Sequence, residues 1–394
     1  MGITPRDCFA ENCAWMTDCH KPTVRVCRVL GLTRYDRLGA SSRQRFFIFE
    51  NSLRARGIEC HWQSFFTDGQ LLQLYRENHR SLIELTSSYV RRISTALRSS
   101  AFDLVWIEKE LLPWLPNAFE TWLLGRSRLV LDLDDGWHLR YDCAPTALQR
   151  RIFSGKIAAL ARRSDAVIVS NKEVDAWLKV SRLRGGTELL PTVLDPQRYV
   201  VAPEPAGPFT LAWIGSPSTV RYLKTMEPVL ERLAAEFDIR LIVISHRADA
   251  PTFKHAWVEF VEWSEESEAA ELKRCHVGIA PTPDGAWERY KTGYKIIQYM
   301  AAGRAVVASP VGANRDIVVA DETGLFARSA AEWYMALKRL HDDPVLRHRM
   351  GEAGRRRCES TFSINAVSDR LASILLRAAA GQVNAQPAPT ACAR

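Results

Sequence analysis

Lys291, Gly293 and Lys295 stand at alternate positions just ahead of an apolar pattern in which Tyr294, Ile297, Met300 and Ala301 recur at helix-face spacing. Backbone N–H groups at a helix start lack internal partners, and with the positive end of the helix dipole they favour an anion. Gly293 permits close backbone approach, and the two lysines add point charges one turn apart. A diphosphate would fit that arrangement. Gly303 then closes the helix, and residues 305–308 read as a short buried strand followed by Ser309, Pro310, Gly312 and Asn314. On spacing alone, an ordinary helix with two solvated lysines accounts for the same residues.

Four other groups could do chemistry. Gly215, Ser216 and Thr219 lie between an apolar run at 209–214 and a helical pattern at 222–237, where a strand-to-helix turn offers amides and hydroxyls to phosphate. The segment lacks GxGxxG, and Arg221 and Lys224 follow it as further cations. Ser41, Ser42, Arg43 and Arg45 follow the first strand, where a serine could cap the next helix and an arginine could fork onto a phosphate. Asp132, Asp134 and Asp135 invite a metal reading, but they sit at the end of a strand, and capping a turn serves them equally well. Glu108, Lys109 and Glu110 end the preceding strand in the same way, while His138 and His276 read as packing or surface histidines.

Two stretches of similar grammar must position these residues. In the first, strands are expected at 24–31, 59–62, 102–108, 129–133, 166–170 and 188–191, alternating with helices at 43–56, 116–125 and 148–163. In the second, strands fall at 209–214, 239–245, 258–261, 276–280 and 305–308. Such alternation implies parallel sheets covered on both faces, with ligands outside the carboxyl ends of the strands. The expected organisation is a disordered leader at 1–22, a first domain at 23–200, a proline-rich linker at 201–208, a second domain at 209–363, a helix at 364–377 and a disordered tail at 378–394.

Composition excludes several classes. The 394 residues are 47% hydrophobic and 25% charged, ample for two globular domains, and no apolar run is long enough to span a bilayer. No secretory signal is expected, and Arg6 occupies the position where myristoylation requires Ser or Thr. Nine cysteines without a CxxC suit a reducing cytoplasm, and the spacing of Cys8, Cys13, Cys19 and His20 fits no common zinc signature. The net charge of +8 is spread along the chain with acids between the bases. That pattern suits small anionic ligands, and also the anionic inner leaflet of a membrane, better than nucleic acid.

The run from Trp287 through Lys291, Gly293, Lys295, Tyr299, Met300 and Gly303 to Ser309, Pro310, Gly312 and Asn314 resembles the donor-binding region of retaining GT-B glycosyltransferases of the family 4, or group 1, type. Trp213 to Thr219, with Tyr222 and Leu223, is similar to the same family. The resemblance implies two doubly wound Rossmann-like domains facing across a cleft, with the last helix crossing back onto the first domain. It implies a metal-independent transferase moving a sugar from a nucleotide-diphosphate sugar to a glycan or lipid-linked acceptor, as relatives do in building bacterial surface polysaccharides. Lys291, Lys295 and Glu288 would then serve catalysis; Gly215, Ser216, Thr219, Gly293, Gln298, Ser42 and Arg43 would hold the donor; no metal or separate cofactor is expected. The family's two glutamates fall here at Tyr290 and Gln298, and Glu288 is the nearest acid that could stand in for the first. A sugar epimerase of the same fold and an inactive nucleotide-sugar-binding scaffold are the alternatives.

Overall fold

The structure, a computed structural model, describes residues 26–77, 81–181, 183–246 and 255–382. The expected leader, with Cys8, Cys13, Cys19 and His20, and the tail from residue 383 lie outside them. The first domain carries β1 (Cys27–Thr33), β2 (Ile58–Ser64), β3 (Leu104–Glu108), β4 (Leu129–Leu133), β5 (Ala166–Val169) and β6 (Thr187–Leu189). The second carries β7 (Phe209–Ile214), β8 (Ile239–Ser245), β9 (Val258–Glu262), β10 (Val277–Ala280), β11 (Ala305–Ala308) and β12 (Gly324–Phe326). Every neighbouring pair of named strands is parallel, in the orders β2-β1-β3-β4-β5-β6 and β12-β11-β10-β7-β8-β9.

Those orders place the site. Strand order reverses between β1 and β3 in one sheet and between β7 and β10 in the other, and the loops leaving such neighbours splay apart to open a crevice. The turns that follow these four strands begin at Arg34, Lys109, Gly215 and Pro281.

Both sheets are buried on two faces, which is why their strands are nearly unbroken apolar runs. On the first sheet, one face is covered by helices Leu82–Ala96, Asn117–Leu124, Lys156–Arg163 and Lys172–Lys179. The other face receives Phe46, Phe49 and Leu53 together with Val367, Leu371 and Leu375 of the last helix, Ile364–Ala379. Burying a leucine of this kind is worth about 1.5–3 kcal/mol over leaving it exposed. That helix therefore belongs energetically to the first domain. The two crossings between domains are bonded side by side, with Leu194 N–H donating to Phe362 O at 3.0 Å and Ile364 N–H to Leu194 O at 3.1 Å.

Several expected helices are divided. The one at 43–56 starts earlier, at Ala40, and breaks at Phe46, whose ring packs 4.3 Å from Trp106, before resuming as Glu50–Arg54. Gly39 is its N-cap, with no side-chain cap from Ser41 or Ser42. Gly155, at φ 72°, separates Ala147–Phe153 from Lys156–Arg163 within the expected 148–163 helix. The helix at 222–237 is split into Val220–Lys224 and Glu227–Glu236, the second opening with Pro228 in its first turn. The last helix runs to Ala379, so Ala378 and Ala379 belong to it rather than to a tail.

Candidate functional site

A cleft of about 330 Å³ lies between the domains, at the switch points of both sheets. Its second-domain wall starts at the turn after β7. Gly215 is required there, since a Cβ would lie 2.7 Å from the Trp213 ring and 2.9 Å from Thr219 Oγ1. Ser216 and Thr219 line the cleft, with Thr219 Oγ1 donating to Ser216 O at 2.9 Å.

Opposite this turn stands the start of helix Tyr294–Ala301. Gly293 is its N-cap at φ 65°, ψ 20°, and a Cβ there would meet Ile317 Cδ1 at 2.6 Å and Asn314 Oδ1 at 2.9 Å. Lys291 and Lys295 both line the cleft, Lys295 with its Nζ 4.4 Å above the buried Trp213 ring. Among the described residues no carboxylate comes within 4.0 Å of either ammonium. Burial, and then repulsion from Lys291, pulls the Lys295 pKa down to about 7. Burial also lowers that of Lys291, against the opposing attraction of Asp135 and Glu288. Two half-buried cations beside outward-facing helix amides attract an anion strongly, because little else in the site neutralises them.

Glu288 reaches the cleft, its Oε1 accepting the Tyr222 hydroxyl at 2.5 Å. Tyr290 turns away. Its ring sits edge-on to His138 at 4.9 Å and over Gly136, and its carbonyl accepts from Asn171 Nδ2 at 2.8 Å, so it is part of the contact with the first domain. Trp287 takes the same direction, 6.3 Å from Trp137. Gln298 lines the cleft, but its Nε2 is 3.1 Å from Glu268 Oε2 and 3.3 Å from the Tyr199 hydroxyl. Glu268 also accepts from Tyr199 at 2.8 Å and from Trp263 Nε1 at 2.9 Å, which presents a buttressed carboxylate in the cleft wall.

The first domain supplies the facing wall. Ser41 lines it, whereas Ser42 is fully buried, donating to Glu108 Oε2 at 2.6 Å and accepting from Tyr35 N–H at 3.0 Å. Ser42 therefore corrects the sequence expectation: its hydroxyl is spent on holding the β3 end and does not meet the cleft. Arg43 lines the cleft but is already directed, donating to Arg37 O at 3.2 Å and lying 3.5 Å from Glu265 of the other domain. Arg221 is largely exposed, 3.6 Å from Glu288 Oε1.

Behind this wall is a buried charge network. Lys109, in the left-handed region at φ 63°, lies 3.1 Å from Asp134 and 3.5 Å from Asp135. Burial alone would lower its pKa, but Asp134, Asp135 and Glu108 together hold it raised. Arg45 takes Asp132 with two bonds of 3.0 Å, and Glu110 gathers Lys156 at 2.8 Å and Trp137 Nε1 at 2.9 Å. Burial pushes the Asp135 and Asp132 carboxyls up to about 6 against the pull of Lys109 and Arg45 respectively. Asp132 and Asp134 thus have cationic side chains as partners. Among the described residues, Glu227, Glu231 and His255 approach closely enough to hold a metal, and none of the three lines the cleft.

Sequence reasoning missed Glu268, Trp263 and Tyr199. Glu268 and Tyr199 meet Gln298 from 30 and 99 residues away in the chain, Trp263 enters through Glu268, and no local spacing announces them.

Two parallel six-stranded domains joined by a double crossing, with a cleft at both switch points, define the GT-B fold. Solved structures of the same architecture include HepE from Anabaena in complex with UDP and glucose, at TM-score 0.67 and 14% identity, covering 89% of this chain and 99% of that one. A sucrose-phosphate synthase from Thermosynechococcus elongatus matches at TM-score 0.66 and 15% identity over 89% and 98%. A glycosyltransferase from Rickettsia africae matches at 0.66 and 12% over 89% and 98%. Residues 210–343, within the second domain, match the family model described as glycosyl transferases group 1. No curated protein matches the sequence.

Proposed function

We propose that the protein is a retaining, metal-independent glycosyltransferase that moves a sugar from a nucleotide-diphosphate sugar to a glycan or lipid-linked acceptor, as in the building of bacterial surface polysaccharides. The observation that carries this reading is the pair Lys291 and Lys295, with no carboxylate of the described residues within 4.0 Å, at the helix start capped by Gly293. Their charge falls where a leaving diphosphate would develop its own, and preorganised cations in a half-dry site lower the barrier for that step. The group 1 match of this same domain supports a sugar donor. Retention would follow from front-face attack: the acceptor oxygen bonds the anomeric carbon as its bond to the diphosphate breaks, and the acceptor proton passes to the departing phosphate oxygen. Glu288, held by Tyr222, would meet donor-sugar hydroxyls in place of the acid absent at position 290.

A thermal-shift screen against nucleotide sugars tests it, because a ligand bound only by the folded state raises the unfolding temperature by mass action. A shift with one donor, followed by transfer that retains anomeric configuration in the presence of a chelator, is expected. No shift with any nucleotide sugar would overturn the assignment, and binding without transfer or hydrolysis would favour a scaffold.

A further inference from the structure

The helix layer on the outer face of the first domain has an exposed stripe that the site does not use. On helix Leu82–Ala96 and its C-cap, Ile83, Val90 and Leu97 recur every seven residues, one helix face, and are 83%, 62% and 59% exposed. The neighbouring helix Asn117–Leu124 covers the same sheet face and adds Trp122, 67% exposed. Apolar groups so aligned are out of place in water.

Exposed charge in the same stretch of chain is of one sign. From residue 82 to residue 163 the exposed charged side chains are Arg98, Arg126, Arg150, Arg151 and Arg162, while the acids in that stretch are buried or half-buried. Arg163 donates to Gly125 O and Ser127 O, tying the end of helix Lys156–Arg163 to the turn that carries Arg126. No helix among the described residues is long and apolar enough to cross a membrane.

We propose that this layer rests on an anionic lipid bilayer, with Ile83, Val90, Leu97 and Trp122 entering the headgroup boundary and the arginines meeting lipid phosphates. An apolar stripe flanked by arginines, with an indole at its edge, is the composition of an interfacial helix surface, where burial and charge attraction add. A second copy of the chain suits it less well, since a self-complementary contact would set arginines against arginines. None of these residues lines the cleft, so lipid binding and nucleotide binding are separable readouts.

The test is co-sedimentation of the full chain with vesicles of phosphatidylcholine and phosphatidylglycerol against vesicles of phosphatidylcholine alone. The protein should pellet with the mixed vesicles, less so as salt rises. The double variant Ile83→Glu/Val90→Glu should stay in the supernatant, and Arg98→Glu/Arg126→Glu should bind at least about tenfold more weakly. Circular dichroism and thermal unfolding confirm that each variant is folded, and Trp122→Ala provides a milder substitution with the same expected direction. The proposal is overturned if wild type fails to pellet with mixed vesicles, if the double variant pellets equally, or if the stripe proves to close a dimer that the double variant dissolves.

Discussion

Gln298 Nε2 lies 3.1 Å from Glu268 Oε2, so this cleft-lining amide is directed at a carboxylate supplied by another helix. Trp263, Tyr199 and Gln298 all donate to Glu268, and its loss would leave three donors without their acceptor. At about 1–3 kcal/mol for a buried orphan, with partial relaxation, Glu268→Ala should lose about 2–4 kcal/mol of stability by chemical denaturation. Glu268→Gln should lose less. An unchanged midpoint for the alanine variant would remove the network from the account.

Lys291→Ala should reduce turnover by about 10²–10³-fold, the range seen when one preorganised transition-state donor is removed. The fold should persist, because Lys291 has no ion pair among the described residues to lose. Steady-state kinetics with the donor found by thermal shift decides the matter; wild-type turnover would take the loop out of the chemistry.

Lys295 gives the site a pH dependence. Its folded pKa of about 7 lies below an unfolded value of about 10.4. Burying the charged form therefore costs stability below about 7, and the cost is relieved as pH rises toward the unfolded value. Nucleotide-free protein should become more stable across that window, while nucleotide affinity falls as the ammonium is lost. Lys295→Met should flatten both profiles. Calorimetric titration with a nucleoside diphosphate from pH 6 to pH 9, roughly the span over which a group near 7 titrates, measures the effect; identical profiles for the variant would dismiss it.

Tyr290→Ala should loosen the contact between domains, whereas Tyr290→Phe should not, because the ring over Gly136 and beside His138 makes the contact. Removing a half-buried aromatic ring should cost about 2 kcal/mol, below the value for a fully buried one. Small-angle scattering should show a larger radius of gyration for the alanine variant. Equal radii would mean that other contacts hold the domains.

Much of the architecture was legible in the chain. The apolar runs of β3, β4, β7, β8 and β11 and the glycines Gly215, Gly293 and Gly303 announce parallel strands and the turns that join them to helices locally. The division of helices at Phe46, Gly155 and Pro228 was less visible, since helical periodicity continues through a break that packing imposes. At the site, Lys291 and Lys295 could be read because helix-start chemistry is a matter of neighbours in sequence. Ser42 was misread for the converse reason: its acceptor, Glu108, lies 66 residues away, and only the folded sheet brings them together. Tyr290 looked like a defect in a motif. Its ring and carbonyl serve the first domain instead.

The seating of Tyr290 against Asn171 and His138 has a mechanical consequence, because the next residue in the chain is Lys291. This cleft-lining cation is fastened to one lobe by its neighbour and to the other by the helix it precedes. Swinging the lobes apart about the paired crossings at Leu194 and Ile364 would pull that ammonium off its anion. Departure of the spent nucleotide and parting of the lobes would then be a single movement, with the hinge acting as the escapement of the cycle.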